Sequence, residues 1–197
     1  MDRTDRSPFR LAARALLVAA ALVVASAATA LAGPPAGRFG VGDSIMLSAE
    51  PELRELGFVV NAKVGRQFGA GAWIVRHMAV DDSLPKRVIV HLGTNGTIDP
   101  ADCDRLAAAA GSHRRVFLTT IKVPRSWEGP NNHTLTACAN AHEKVHVIRW
   151  WTKSHDRPEW FAHDGYHLNA AGQLAFASFV DHKVDRLLED LRERRAR

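Results

Sequence analysis

Five short runs rich in Val, Ile and Phe recur between residues 38 and 150, and a helix-patterned segment separates most of them. Arg38 to Gly42, Phe58 to Ala62, Arg87 to Leu92, Arg115 to Thr120 and Val145 to Trp150 read as strands, most of them bounded by Gly, Pro or charged residues. Helices are expected near 45–56, 70–80, 101–110 and 132–143. A final helix is expected from Ala170 to about Arg192, with apolar positions at Leu174, Ala177, Phe179, Val180, Val184, Leu187 and Leu188. Strands that alternate with helices favour a parallel sheet covered on both faces. The expected fold is therefore α/β, a three-layer α/β/α sandwich with a five-stranded parallel sheet. Such sheets bind ligands at the carboxyl ends of their strands, where strand order reverses. No repeat or low-complexity stretch interrupts 38–197, which reads as one domain.

Composition narrows the classes. Of 197 residues, 46% are hydrophobic and 24% charged, an ordinary globular balance that argues against a disordered or collagen-like chain. The net charge of +5 is partly a property of the first 32 residues, which hold four Arg and two Asp. Without them 22 basic residues face 19 acidic ones, so a nucleic-acid partner is not expected. Two cysteines exclude a Cys-rich zinc module and a disulfide scaffold.

Arg3, Arg6, Arg10 and Arg14 precede an uncharged run from Ala15 to Ala32, and Ala30-Leu31-Ala32 fits an A-x-A cleavage site. A basic stretch, an apolar stretch and a small-residue exit read as a secretory signal over 1–32, with an uncleaved anchor helix as the alternative. Gly33 to Gly37 is then a short linker. Export favours a disulfide between Cys103 and Cys138 over two separate buried thiols. The expected location is outside the cell or in its envelope.

Gly42-Asp43-Ser44 follows the first strand and opens the first helix, so Ser44 is placed at the carboxyl edge of the sheet beside free backbone N–H groups. Taken alone the tripeptide is a helix cap. It gains meaning from Asp164-Gly165-Tyr166-His167, just before the last helix. A serine nucleophile needs a base, and the base needs a third group to fix its tautomer. Asp164 can hold Nδ1 of His167 and leave Nε2 for Ser44. His91-Leu92-Gly93-Thr94-Asn95-Gly96 ends the third strand, and Asn95 can donate to an oxyanion together with the Ser44 N–H. Gly65, after the second strand, can add another N–H. Simple turn chemistry accounts for either Gly segment taken alone.

The order and spacing of these four segments resemble the SGNH hydrolases, also called the GDSL esterase/lipase group, over nearly all of the chain after the leader. The resemblance implies an SGNH, flavodoxin-like sheet. It also implies Ser44 as nucleophile, His167 as base, Asp164 as its orienter, and an oxyanion hole from the Ser44 and Gly65 N–H groups and the Asn95 side chain. The family pattern often has Asp after the Asn; Gly96 stands there in this chain. Gly42 to Leu47, Val64 to Gln67, His91 to Gly96, Val123 to Glu128 and Asp164 to Leu168 together are similar to the extracellular SGNH domain of bacterial peptidoglycan O-acetyltransferases. That likeness implies an acyl ester donor, a cell-envelope glycan acceptor and no cofactor. In that group the domain usually follows a multi-span membrane acyltransferase. No second long apolar run follows the leader here, so such a partner is expected, if at all, as a separate chain. Arg66, Gln67, Arg125 and Trp127 are candidates for the substrate cleft, with Trp127 on a sugar face and Arg125 on a carboxylate or phosphate. The plain alternative makes Trp127 core and Arg125 a solvated charge. Trp150, Trp151, Trp160 and Phe161 read mainly as packing.

His142-Glu143-Lys144-Val145-His146 spells the zinc-protease signature, which needs both His on one continuous helix. Val145 to Ile148 reads instead as a strand, and Arg149 stands where the extended signature has Gly, so no metal ligands are expected. A non-catalytic glycan-binding protein on the same fold is the remaining alternative. Hydrolysis and transfer differ only in which acceptor reaches the acyl group, and the triad by itself does not separate them.

Overall fold

The computed structural model describes residues 37–197; the leader and the linker up to residue 36 lie outside the described residues. Five strands alternate with helices along the chain. They are β1 (Arg38–Gly42), β2 (Val59–Ala62), β3 (Arg87–His91), β4 (Arg115–Thr119) and β5 (Val145–Ile148). All pair in parallel in the order β2-β1-β3-β4-β5. The chain moves to one side of β1 for β2 and to the other for β3. The connections leaving β1 and β3 therefore part at the carboxyl edge and open a crevice there.

Side chains on the strands alternate between two cores. Phe39 and Val41, Val88 and Val90, and Val116 and Leu118 face one layer. It is formed by α3 (Phe68–Val80), α4 (Pro100–Ala110) and α5 (Glu128–Ala141). Ile89 and Phe117 face the other, where Met46, Leu53, Trp150, Phe176, Val180 and Val184 pack. That layer holds α1 (Ser44–Ser48), α2 (Glu50–Glu55), α6 (Trp150–Ser154) and α7 (Ala170–Ala196). Burial on both faces explains why the strands read as continuous apolar runs.

Several boundaries differ from the sequence expectation. The single helix expected over 45–56 is two helices that meet at Ala49. Pro51 lacks the N–H that would bond back to Leu47, so the first helix ends and a second starts. The fifth strand ends at Ile148, and Trp150 begins a short helix instead. Helix α5 starts at Glu128, four residues before its expected start at 132, and α7 continues to Ala196. Cys103 on α4 and Cys138 on α5 are joined by a disulfide with Cα atoms 6.2 Å apart. None of the described helices is long and apolar enough to cross a membrane.

Candidate active site

The candidate nucleophile position is built by three residues. Gly42 ends β1, and a Cβ there would lie 2.3 Å from Cβ of Met46, so only glycine lets α1 fold back this closely on its strand. Asp43 is fully buried and caps α1; its Oδ1 accepts from the Ile45 N–H at 3.0 Å and lies 3.2 Å from Nδ1 of the buried His91. Ser44 is the first helical residue, half-buried at the crevice, and its N–H has no acceptor among the described residues.

Ser44 Oγ lies 3.1 Å from Nε2 of His167, although 123 positions separate them in the chain. On the other side of the ring, Nδ1 lies 2.6 Å from Oδ2 of Asp164. Oδ1 of Asp164 accepts from the N–H groups of Tyr166 and His167 at 3.1 and 3.0 Å. Partial burial pushes the Asp164 carboxyl up. The His167 hydrogen bond and the two backbone N–H groups outweigh it and bring the carboxyl down to about 2. Asp164 is thus a carboxylate throughout the neutral range, fit to hold the imidazole in the tautomer whose Nε2 accepts from a hydroxyl.

The loop that carries the pair is a small closed unit. Phe161 and Leu168 form an antiparallel bridge, and the Ala162 N–H donates to the His167 carbonyl at 2.7 Å. Gly165 turns the chain at φ 77°, a conformation that favours glycine. Lys122, at the exit of β4, donates to the Gly165 carbonyl at 2.6 Å and holds its ammonium 4.3 Å from the Phe161 ring centroid. Asn169 caps α7 through the Gly172 N–H and donates to the Glu159 and Phe161 carbonyls.

The oxyanion candidates sit on the two loops that leave β2 and β3. Gly65 is exposed, adopts φ 72°, and its N–H has no acceptor among the described residues. Asn95 is half-buried, and its Nδ2 makes a long 3.5 Å contact with the Arg66 carbonyl. Gln67 Nε2 donates to the Asn95 carbonyl at 2.5 Å, so the two loops are tied to each other. Asn131 on α5 fixes the second loop: Nδ2 donates to the Gly93 and Gly96 carbonyls, each at 2.8 Å, and Oδ1 accepts from Ile98 at 2.8 Å.

The four substrate-cleft candidates have different surroundings. The Arg66 guanidinium turns inward to the Gly42 carbonyl and to the carbonyl and side chain of Asn61. Burial pulls it below its ordinary value, with Asp43 opposing. Gln67 is the inter-loop brace just described. Trp127 is half-buried at the start of α5, and its indole N–H points to the Thr94 carbonyl at 3.3 Å. Arg125 is exposed, and among the described residues its guanidinium hydrogen-bonds only the neighbouring Pro124 carbonyl. Lys122 and Asn131 are not marked by the sequence reading, and Glu128, the last residue of the Val123–Glu128 segment, proves to be a brace. Glu128 accepts from the Val123 N–H and the Trp151 indole. Two consecutive Asn early in a helix, Asn131 and Asn132, were the available signal, because Asn is a poor helix former that favours bonds to nearby backbone. Nothing around Lys122 distinguishes it from a surface lysine.

The zinc-protease signature falls apart in space. His142 is the residue after α5 and bonds Asp104 at 2.8 Å, whereas His146 lies on β5 beside Arg115 at 3.0 Å. Burial pulls His146 below its usual value, and Arg115 and Lys144 add to this. The helix stops one residue before the motif begins, so its two imidazoles do not share a helix face.

No protein-family model matches the chain. It is 32% identical over 143 residues to the O-acetyltransferase OatA of Staphylococcus aureus (strain NCTC 8325 / PS 47), covering 71% of this chain and 24% of that protein. It is 31% identical over 144 residues to the peptidoglycan O-acetyltransferase OatA of Listeria monocytogenes, covering 71% of this chain and 22% of that one. The chain thus spans about a quarter of the length of these curated relatives. Among solved structures, the OatA C-terminal catalytic domain of Streptococcus pneumoniae superposes with a TM-score of 0.69 at 20% identity, covering 78% of this chain and 94% of that one. A carbohydrate esterase family 3 protein of Talaromyces cellulolyticus gives 0.62 at 16% identity, covering 78% and 98%. These two share the fold. The homologues of this chain are bacterial peptidoglycan O-acetyltransferases, and its fold is that of the OatA C-terminal catalytic domain and of GDSL-like esterases.

Proposed function

We propose that this chain is an exported serine esterase or O-acetyltransferase that acts on acetyl esters of cell-envelope glycan through an acyl-Ser44 intermediate. The observation that carries the reading is the continuous line from Ser44 Oγ through the His167 ring to Asp164, at the carboxyl edge of the sheet between β1 and β3.

In this mechanism His167 Nε2 takes the Ser44 proton as Oγ bonds to the ester carbonyl carbon. The carbonyl π pair moves onto oxygen, and the N–H groups of Ser44 and Gly65 and the Asn95 amide face that charge. Loss of one such donor typically costs about 2.7–4 kcal/mol in the transition state. Collapse breaks the bond to the leaving alkoxide, which takes the proton from His167, and the acyl group stays on Ser44. A second hydroxyl then repeats the sequence: water gives a free acid, and a sugar hydroxyl gives a new ester. Asp164 remains ionised throughout and stabilises the imidazolium that forms twice.

Export is supported by the basic and apolar leader and by the Cys103–Cys138 disulfide, a bond that persists in oxidising compartments. A membrane acyltransferase partner as acetyl donor fits the homology to O-acetyltransferases of which this chain spans about a quarter.

The test is turnover of 4-nitrophenyl acetate by the purified chain, in which Ser44→Ala and His167→Ala should each nearly abolish activity while circular dichroism stays unchanged. Wild-type-like turnover in either variant overturns the assignment. Addition of a chito-oligosaccharide and mass spectrometry of the products separates transfer from hydrolysis.

A further inference from the structure

We infer that the groove between α3 and α4 is a second binding subsite, one that holds the glycan strand away from the reacting ester. The inference rests on the proposed function, since it supplies what a polymeric substrate needs beyond a triad.

The first observation is an unexplained aromatic. Trp73 on α3 is 59% exposed, while Trp150 is buried in the core. The indole is not loose: the His77 ring packs on it with centroids 3.6 Å apart, and His77 Nδ1 lies 2.9 Å from the Trp73 carbonyl. One face of the ring is thereby backed and its position set. An exposed, pre-set indole offers a flat apolar surface to the C–H face of a sugar at low ordering cost.

The second observation is what surrounds it. Trp73 lines a cavity of about 140 Å³ together with Gly69, Ala72, Arg76, Asp102 and Arg105. Asp102 and Arg105 are paired with each other. Arg76 is exposed and has no ion pair among the described residues. A guanidinium beside an aromatic plane suits a sugar that carries a carboxylate, as muramoyl residues and their peptides do.

The third observation is where the groove starts. Helix α3 begins at Phe68, directly after the Gly65–Gln67 loop, and α4 begins at Pro100, directly after the loop that carries Asn95. Gly69 and Asp102 are therefore at the end of each helix that faces the catalytic loops. The helices are close there, since a Cβ on Gly69 would lie 2.9 Å from Oδ2 of Asp102. A strand whose ester lies at Ser44 can pass over the Gln67–Asn95 brace that ties the two loops and continue along this groove to Trp73.

The experiment is co-sedimentation of the full chain with purified, de-O-acetylated peptidoglycan sacculi, with thermal melts as the control for folding. Trp73→Ala should weaken binding about tenfold, the loss expected for truncating a central aromatic anchor. Trp73→Phe should retain most of it. Arg76→Ala should weaken binding to sacculi but not to neutral chitohexaose, measured by calorimetry. Binding by Trp73→Ala equal to wild type, or no binding by the wild type, overturns the subsite; equal loss of both probes in Arg76→Ala overturns the carboxylate contact. The two readings fail separately. Ser44-dependent ester turnover without Trp73-dependent binding leaves the function and removes the groove. Trp73-dependent binding without Ser44-dependent turnover does the reverse.

Discussion

Asn131 donates from its buried side-chain amide to the Gly93 carbonyl at 2.8 Å, and the same nitrogen reaches the Gly96 carbonyl at the same distance. One residue on α5 therefore sets the course of the loop that presents Asn95. A buried amide with both ends satisfied holds a loop far better than solvent contacts do, since each lost bond leaves a desolvated partner behind. Asn131→Asp keeps the shape, removes both N–H donors and turns a carboxylate toward two carbonyls. We expect kcat on 4-nitrophenyl acetate to fall by about one to two orders of magnitude, less than the loss of a direct oxyanion donor, with KM changed less. In an Asn95→Ala background the same change should cost little more. Full additivity in that double-mutant cycle would show that Asn131 does not act through Asn95.

Asp164→Asn presents an amide to His167 Nδ1 and favours the wrong imidazole tautomer. Turnover should drop by about 10³–10⁴-fold, the size of loss seen when a triad's orienting carboxylate becomes an amide. Steady-state kinetics at pH 7 and pH 9 test this, and a loss under tenfold would place the orienting role elsewhere.

The hydrogen bonds that bring Asp164 down to about 2 also predict its pH behaviour. Its folded value lies below the unfolded value of about 3.9, so its contribution to stability is present above pH 4 and is lost as pH falls through 2. The acid limb of the rate profile between pH 4 and 7 accordingly does not come from Asp164. Carbon-13 titration of the aspartate carboxyls should find one midpoint near 2 that disappears in Asp164→Asn. A midpoint near 4 for this residue would contradict the geometry.

Cys103 and Cys138 are 35 positions apart in sequence and tie α4 to α5. Closing a loop of that length restricts the unfolded chain by about 4 kcal/mol in the chain-entropy model. The Cys103→Ala/Cys138→Ala double variant should melt lower by about 10 °C, read by circular dichroism. Reduction of the wild type should give a similar shift.

Gly42→Ala forces a methyl group to within 2.3 Å of Cβ of Met46. Overpacking of this kind costs about 1–3 kcal/mol, and here the strain falls on the helix that carries Ser44, so activity should fall with stability. Met46 Sδ and Cγ would also lie close, at 2.7 and 2.9 Å, but the Cβ is the obstacle that shortening the side chain to Ala leaves in place. Met46→Ala should therefore not restore Gly42→Ala, whereas Met46→Gly should restore part of its activity.

The strands and their alternation with helices are readable along the chain because they depend on short-range hydrophobic pattern, while Ser44, Asp164, His167, Gly65 and Asn95 stand out as candidates through a cap, a three-residue spacing, turn glycines and the family resemblance. The break at Ala49 is also local, written in Pro51, although the apolar pattern runs across it. What the linear order left undecided depends on the third dimension. The β2-β1-β3-β4-β5 order brings Ser44 to a histidine 123 positions away. Arg66 points to carbonyls at the ends of β1 and β2, and Trp127 points to the Thr94 carbonyl. Lys122 and Asn131 act as braces. A side chain's partner is chosen by which polar groups are left unsatisfied once the helices have packed on the sheet, and that choice exists only after both layers have closed around it.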